Sequence, residues 1–485
     1  MNKKFKFILA LSSLSILISC GGGGGAAPNT SSGTVIPTAV MLGESQAELV
    51  ATINLNVASG YSGKDILFYN LVAKGDLNGD GYDDLVIGLF RHTTMPSYSG
   101  REYDPSGSIK PVILFYDANI DSYKINDQLQ SVLQAHHHPR QAMIGDFDGD
   151  GRNDLFIQGH GYDDAPYGEQ NSLILNKASG FINATNTLPQ FSDFSHGLVV
   201  ADFDKNSKPD LLVLNNRTEA QTKCEKYSGF TDCNYNSPKL SESYVLFNKG
   251  VSGLSKDVLN IPDSVINFTT TSADPDKRLY VGHSADFNKD SWVDLIISDH
   301  RHMYIMESIG GTGNFAAAQI IDPPVALQSC SYTPFSAITS LDIDGDGQEE
   351  IVGSQACGLN TAYFRILKRV DGRWIDRTSD LTGPQTVNTD LASKNDGWCY
   401  KFELADLNND GKMDLICQST RGQGQNDGNV FWYNINSKLQ FSNVMLPSGQ
   451  WHAFHTKVKN KLGNYIIGFS IPFGQSDLTI RRWKN

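Results

Sequence analysis

Helix signals are scarce in this sequence, and basic residues are outnumbered. Lys and Arg total 40 against 53 Asp and Glu, a net charge of −13. A nucleic-acid binder carries a broad basic field, so nucleic acid is not expected as a partner. The N-terminal apolar stretch, Phe7 to Ile18, is too short for a resident membrane span. No nucleophile elbow, phosphate loop or zinc signature occurs. Nothing local therefore announces acyl-transfer, nucleotide or zinc chemistry.

What the sequence has in plenty is Gly, Asn and Asp, set in one repeating loop. It first appears as Asp76-Leu-Asn78-Gly-Asp80-Gly-Tyr82-Asp-Asp84, followed by Leu85-Val86-Ile87. Further copies start at Asp146, Asp202, Asp286, Asp342 and Asp406. Positions 1, 3, 5 and 9 carry oxygen side chains. They are Asp146, Asp148, Asp150 and Asp154 in the second copy and Asp202, Asp204, Asn206 and Asp210 in the third. The fourth has Asp286, Asn288, Asp290 and Asp294, the fifth Asp342, Asp344, Asp346 and Glu350, the sixth Asp406, Asn408, Asp410 and Asp414. Calcium is a hard cation that takes six to eight oxygen ligands, and alternate residues of a tight loop point inward together. Position 7 offers its backbone carbonyl, so its side chain varies: Tyr82, Arg152, Lys208, Trp292, Gln348, Lys412. Glycine at position 6 permits a positive φ. The third copy departs from the pattern with Asn206, Ser207 and Pro209, and the fourth lacks the glycine, having Ser291. A helical calcium hand needs Glu at position 12; here position 12 is Ile87, Ile157, Val213, Ile297, Gly353 or Cys417. The loops therefore read as strand–loop–strand units holding up to six structural Ca2+. The acidity of the chain is mostly metal-site acidity.

Residues 1–19 read as an export signal, with Lys3, Lys4 and Lys6 before the apolar stretch. The segment Leu17-Ile18-Ser19-Cys20 resembles a bacterial lipobox. The resemblance implies cleavage before Cys20, lipidation of that cysteine and, with Gly at 21, the outer membrane of a diderm bacterium. Attachment is expected through the lipid alone. Residues 20–45 read as the lipidated cysteine and a flexible tether, and residues 46–485 as one repeat domain.

Each repeat holds four short strands: one entering the loop, one leaving it, a third before a turn, and a fourth. Units of this length and content are propeller blades. The loop and unit resemble the FG-GAP/VCBS repeat family, best known from the N-terminal propeller of integrin α chains. Six loops mark six blades. A seventh, without acids, is visible at His455–Asn464 followed by Tyr465-Ile-Ile-Gly-Phe, and it is one strand short. Residues 47–57 form a strand without a blade, and pairing the two closes the ring. The expectation is an all-β, seven-bladed monomeric propeller. Cys224 and Cys233 bracket a short polar loop and are expected to pair; Cys330 with Cys357 is the second pairing considered. Cys399 and Cys417 count out of register across the sixth loop, which suggests a buried free thiol at Cys417.

The ends of the hairpins away from the loops carry Arg91, Arg140, His160, His196, Arg217, Tyr280, His300, Arg301, Tyr400, Arg421 and His452. Together they predict a cationic, aromatic-rimmed concavity. Arg suits carboxylates and sulfates, and Tyr supplies a flat face for a sugar ring. The expected function is a binding module for a glycan, anionic in character, or for a protein. Two alternatives are weighed beside it. A polysaccharide lyase acting on uronates would need a cation and a Tyr or His base. An assembly platform in the envelope would need only the disc.

Overall fold

The computed structural model describes residues 47–61, 67–91, 108–161, 168–190, 195–215, 243–257, 259, 261, 279–299, 301–310, 313–328, 330, 335–357, 361–382, 399–419, 430–443, 450–472 and 476–483. The signal segment, Cys20, the tether, Arg217, His300, Arg421 and the Cys224–Cys233 pair lie outside them. For Arg91, Tyr400 and His452 the backbone alone is described.

The described strands form seven antiparallel four-stranded sheets. Blade 1 comprises β2 (Leu67–Gly75), β3 (Asp84–Arg91), β4 (Val112–Asp117) and β5 (Ser122–Ile125); blade 2 comprises β6 (Pro139–Gly145), β7 (Asp154–Gly159), β8 (Ser172–Lys177) and β9 (Gly180–Asn183). Blade 3 comprises β10 (Ser195–Ala201), β11 (Asp210–Asn215), β12 (Tyr244–Asn248) and β13 (Leu254–Asp257). Blade 4 comprises β14 (Gly282–Ala285), β15 (Asp294–Ser298), β16 (Met303–Met306) and β17 (Gln319–Ile321). Blade 5 comprises β18 (Phe335–Leu341), β19 (Glu350–Cys357), β20 (Thr361–Val370) and β21 (Arg373–Asp376). Blade 6 comprises β22 (Cys399–Ala405), β23 (Asp414–Ser419), β24 (Val430–Ile435) and β25 (Lys438–Asn443). Blade 7 comprises β26 (Gln450–Asn460), β27 (Gly463–Pro472), β28 (Asp477–Trp483) and, as its fourth strand, β1 (Ala47–Asn54).

The first strands touch in sequence, β2 to β6, β10, β14, β18, β22 and β26, and β26 returns to β2. That closes the ring. The core is divided in the same way, one apolar cluster per blade interface. Successive side chains of a strand face opposite sides, and here each side meets a different neighbour. Leu85, Ile87 and Leu89 pack towards blade 7, while Val86 packs towards blade 2. A strand buried on both faces needs a continuous apolar run, which explains Leu85-Val86-Ile87 directly after the loop. Loop position 2 joins this core. Leu77, Phe147, Phe203, Phe287, Ile343 and Leu407 are all buried.

The seam agrees with the sequence expectation. β1 pairs antiparallel with β28 from Ala47↔Trp483 to Asn54↔Asp477. Arg482 holds Glu48 at 3.0 Å and Asp121 at 3.0 Å, tying the closing strand to blade 1. Lys74 of blade 1 reaches Glu403 of blade 6, and Thr456 of blade 7 at 2.8 Å. The expected strand over 47–57 ends early. Asn54 Oδ1 accepts the N–H of Val57 at 3.0 Å and starts a short helix at Leu55–Ser59. The seventh hairpin has no long loop, because Asn460 pairs with Gly463 around a tight turn.

Candidate functional site

All six metal-loop candidates share one backbone conformation. Oδ2 of the first aspartate accepts the N–H of position 6 in each: Gly81, Gly151, Ser207, Ser291, Gly347 and Gly411, at 2.7–3.0 Å. The N–H of position 7 donates to the side-chain oxygen of position 5 in all six. Both positions 4 and 6 have positive φ. The pairs are Gly79 and Gly81, Gly149 and Gly151, Lys205 and Ser207, Lys289 and Ser291, Gly345 and Gly347, Asn409 and Gly411. Sequence reading noticed position 6 only. The loops at Asp202 and Asp286 keep the shape without glycine, at a cost of roughly 1–2 kcal/mol for each side-chain-bearing residue.

The position 9 carboxylates do more than the pattern suggested. Asp84, Asp154, Asp210, Asp294, Glu350 and Asp414 are fully buried. One oxygen of each accepts the N–H of loop position 2 at 2.7–2.9 Å. In five, the other oxygen accepts an N–H at the end of the third strand: Tyr116, Asn176, Asn248, Ser308 or Asn434. The acid therefore brackets the loop to the blade. Burial pushes Asp84, Asp154 and Asp210 up to about 7 and Asp294 and Asp414 to about 6, the backbone N–H groups offsetting part of the effect.

Ligand oxygens from positions 1, 3 and 9 converge within 4.8 Å of one another in Asp146–Asp148–Asp154, Asp202–Asp204–Asp210 and Asp342–Asp344–Glu350. Oxygens held at about 2.3–2.6 Å from a common calcium would have this spread. In the other loops position 3 is Asn78, Asn288 or Asn408, whose amide oxygen is the equivalent donor to a cation. A further observation tests the fit. Asp344 Oδ1 is buried within its cluster and has no hydrogen-bond partner, an expensive state for a carboxylate oxygen that a bound cation would relieve.

The loops fall into two kinds by their second compensation. Where position 3 is Asp, a lysine beside the third strand's end reaches it. Lys177 meets Asp148, Lys249 meets Asp204 at 2.5 Å, and Lys368 meets Asp344 at 2.7 Å. Where position 3 is Asn, its Nδ2 donates to the position 5 aspartate: Asn78 to Asp80, Asn288 to Asp290, Asn408 to Asp410, at 3.1–3.2 Å. Neighbouring blades are bolted together at the same level. Asn176 Nδ2 donates to Leu77 O at 3.0 Å and Asn248 Nδ2 to Asp146 O at 2.8 Å, each in the preceding blade's loop. The recurring doublets Asn176-Lys177 and Asn248-Lys249 were the sequence signal for both roles, and sequence reading passed over them.

At the far ends of the hairpins, the residue six before the loop has a recurring geometry. Arg140, His196, Ser336 and Tyr400 each occupy a register shift in their strand. A bulge leaves an extra residue unpaired and re-aims it. In blade 4, Ser298 faces two residues, accepting the N–H of Tyr280 and donating to Val281 O. Three predicted ligand residues come together here. The rings of His138, His160, His196 and Tyr280 meet in series, edge-to-face or tilted, with centroids 5.4, 5.1 and 4.0 Å apart, and His196 Nδ1 lies 2.8 Å from Tyr280 O. The expected exposure does not hold throughout. His160 and His196 are buried, while His138, Arg140, Tyr280 and Arg301 are half-buried. Arg301 is held towards blade 5, its Nη2 donating to Cys330 O at 3.3 Å and its carbonyl accepting from Gln355 Nε2 at 2.9 Å.

The cationic character is also reduced. Buried Glu169 accepts the N–H groups of His137, His138 and Gly161 at 2.8–3.0 Å. Burial alone would raise its pKa; His136 and these contacts outweigh burial and hold it down to about 2. Asp299 accepts the N–H groups of Arg301 and His302 at 2.6 Å.

The free thiol expected at Cys417 is a disulfide to Cys399, with Cα atoms 5.2 Å apart. The register shift at Tyr400 sets Cys399 opposite Ser419, which brings it diagonal to Cys417. A straight count along the strand misses that extra residue. Cys330 is disulfide-bonded as well.

A model of the FG-GAP-like repeat matches residues 146–213 and 286–353, and one of the FG-GAP repeat matches residues 68–88. No curated protein matches the chain. Among solved structures, the Dos1 propeller is 11% identical over 90% of this chain and 95% of its own, with a TM-score of 0.42. A lectin from Agrocybe aegerita that recognises non-reducing terminal N-acetylglucosamine is 14% identical, covering 79% of this chain and 81% of its own, TM-score 0.40. The exotype rhamnogalacturonan lyase YesX is 12% identical, covering 85% and 67%, TM-score 0.34. With seven four-stranded sheets in a closed ring and the repeat motif in blades 1 to 5, the chain is a β-propeller carrying FG-GAP and FG-GAP-like repeats.

Proposed function

We propose that this protein is an exported, lipid-anchored binding module whose propeller is stabilised by up to six calcium ions. Calcium, when bound, neutralises and cross-links the loop oxygens. Positions 1, 3, 5 and 9 and the carbonyl of position 7 would hold it. The chain's own groups do the rest: the first aspartate shapes the turn, and the position 9 acid ties it to the third strand. The buried, unpartnered Asp344 Oδ1 is the observation that carries the metal reading. Cation binding that needs the folded loop becomes folding free energy. Chelation is expected to lower the melting temperature, with calcium restoring it; identical melting in both states would remove the calcium reading.

The ligand is a glycan of anionic character or a protein, and the far ends of the hairpins receive it. The row of rings of His138, His160, His196 and Tyr280 supports this reading, because the half-buried His138 and Tyr280 are backed by the buried His160 and His196. Arg140, re-aimed by the bulge, adds a guanidinium. The test is a screen of the calcium-loaded protein on anionic polysaccharides, with product absorbance read in the same wells. Retention that weakens with salt and with Arg140→Ala supports the module. New unsaturated product would make the protein a lyase, and silence in both would point to protein partners. Attachment is tested separately, since Cys20→Ser is expected to release the protein from the membrane fraction.

A further inference from the structure

A cleft of about 570 Å³ opens between blades 1 and 2 beside the first calcium loop. That volume suits a small ligand. Its apolar wall spans the blade boundary. Phe115 of β4 and Phe181 of β9 stand 6.0 Å apart, and Tyr82 lies edge-on to Tyr116 at 5.3 Å. Its polar wall is a set of donors and acceptors already held in place. Asp117 accepts the N–H of Asn119 at 2.9 Å through one oxygen and Lys124 Nζ at 2.5 Å through the other. Phe115 and Tyr116 are buried behind the half-buried rings of Phe181 and Tyr82, and those two rings beside carboxylate, amide and ammonium groups match a sugar ring, whose faces are apolar and whose hydroxyls both donate and accept.

One residue sets the cleft apart from the same place in blades 2 and 3. Leu114, Ile174 and Leu246 occupy the same register opposite Leu85, Leu155 and Leu211. Three residues further on stand Asp117, Lys177 and Lys249. In blades 2 and 3 the lysine reaches across to the position 3 aspartate of its own loop. In blade 1 the residue is an aspartate, turned to Lys124, and the space over the loop stays open.

From this geometry we infer that the cleft between the first two blades binds a neutral saccharide, at a site separate from the face proposed above. Among its lining residues the one cation, Lys124, is already paired with Asp117, so uronates and sulfated sugars are disfavoured. Asn78, Asp80 and Tyr82 are alternate residues of the calcium loop and form one side of the cleft. Saccharide binding is therefore coupled to the order of that loop.

The test titrates the full mature protein, in calcium, with glucose, galactose, mannose, N-acetylglucosamine, fucose and their disaccharides, with glucuronate as the anionic comparison. Saturation-transfer NMR and intrinsic fluorescence are the readouts. At least one neutral sugar is expected to bind, with glucuronate at least tenfold weaker. Asp117→Lys, which puts a lysine where blades 2 and 3 have one and takes the carboxylate from Lys124, is expected to weaken binding at least tenfold, with a retained cooperative melting transition as the check on folding. Asn119→Ala gives a second, milder reading of the same wall, with a several-fold loss. No binding by any neutral sugar, glucuronate binding as well as glucose, or full affinity in both variants would each overturn the inference. This titration and the anionic screen read different ligands, so either reading can fail while the other stands.

Discussion

Lys368 Nζ stands 2.7 Å from Asp344 Oδ2, while Asp344 Oδ1 is buried without a hydrogen-bond partner. The lysine also reaches Asp346 at 2.8 Å and Glu350 at 2.7 Å. Burial acts to lower its pKa, and these three carboxylates outweigh it and raise it. The ammonium thus holds the acid cluster together and would repel a divalent cation bound there. Lys368→Met is expected to have two opposite effects. The chelated protein melts lower, because the acids lose their counter-charge. Affinity at the fifth loop rises, by roughly tenfold for a unit charge removed from a partly exposed site. Terbium luminescence and melting curves with and without chelator measure both. Loss of cation binding in the variant would mean instead that the lysine sets the geometry of the loop.

Two loop glycines separate strain from collision. Gly79 has φ 82° and open space where a Cβ would go. Gly79→Ala should cost about 1 kcal/mol of left-handed strain. Gly149 has φ 75°, but its Cβ would lie 2.6 Å from Val251 N and 2.8 Å from Gly250 C, both backbone atoms of blade 3. Gly149→Ala adds an overpacking term and should cost at least about 3 kcal/mol. Denaturant unfolding of the two variants in calcium compares them, and equal costs would mean that blade 3 yields at this contact.

The Cys399–Cys417 bond closes a separation of 18 residues within blade 6. By loop-closure entropy such a link is worth about 3 kcal/mol. The Cys399→Ala/Cys417→Ala double variant should therefore melt lower than the oxidised wild type, and the fully reduced wild type lower still, because the disulfide of Cys330 is lost with it. A variant as stable as the oxidised protein would show that the bond adds nothing to the packing of the blade 5–blade 6 core.

Two histidines should each make a contribution to stability that acid removes, opposite in sign to that of the position 9 carboxylates, whose raised pKa values favour the fold as they protonate. His455 is fully buried and packs on Trp483, with ring centroids 5.1 Å apart. Burial pushes its pKa down to about 3, and that of His283, beside Ser340 Oγ at 2.8 Å, to about 4. The unfolded chain protonates near 6.5, so below that pH it binds more protons than the native state. The stability each histidine contributes is then full above pH about 6.5 and falls as pH drops towards its folded value, by about 1.4 kcal/mol per pH unit. His455→Leu should flatten the profile by one histidine's share between pH 6.5 and 4, measured at fixed calcium. An unchanged slope would place the acid sensitivity elsewhere.

Much of this protein is written locally. The six oxygen sets lie within nine-residue stretches, and alternate side chains of a tight loop must share a side, so reading Asp76 to Asp84 was enough to pick out the loop and its oxygen side chains. The closing strand was legible too, because a final blade one strand short and a first strand without a blade can only satisfy their edges together. The burial of His160 and His196 was not legible. It depends on rings contributed by consecutive blades, and a strand-end position alone does not tell whether a neighbour covers it. The Cys399–Cys417 pair was hidden by one extra residue at Tyr400. Asn248 donating to Asp146 O, 102 residues away, and the open cleft at Asp117 came only with the tertiary structure. The sequence by itself determined the six loops and the repeat, since those depend on short-range geometry. Ring closure decided which blade meets which, and so which polar groups are partnered, covered or left open.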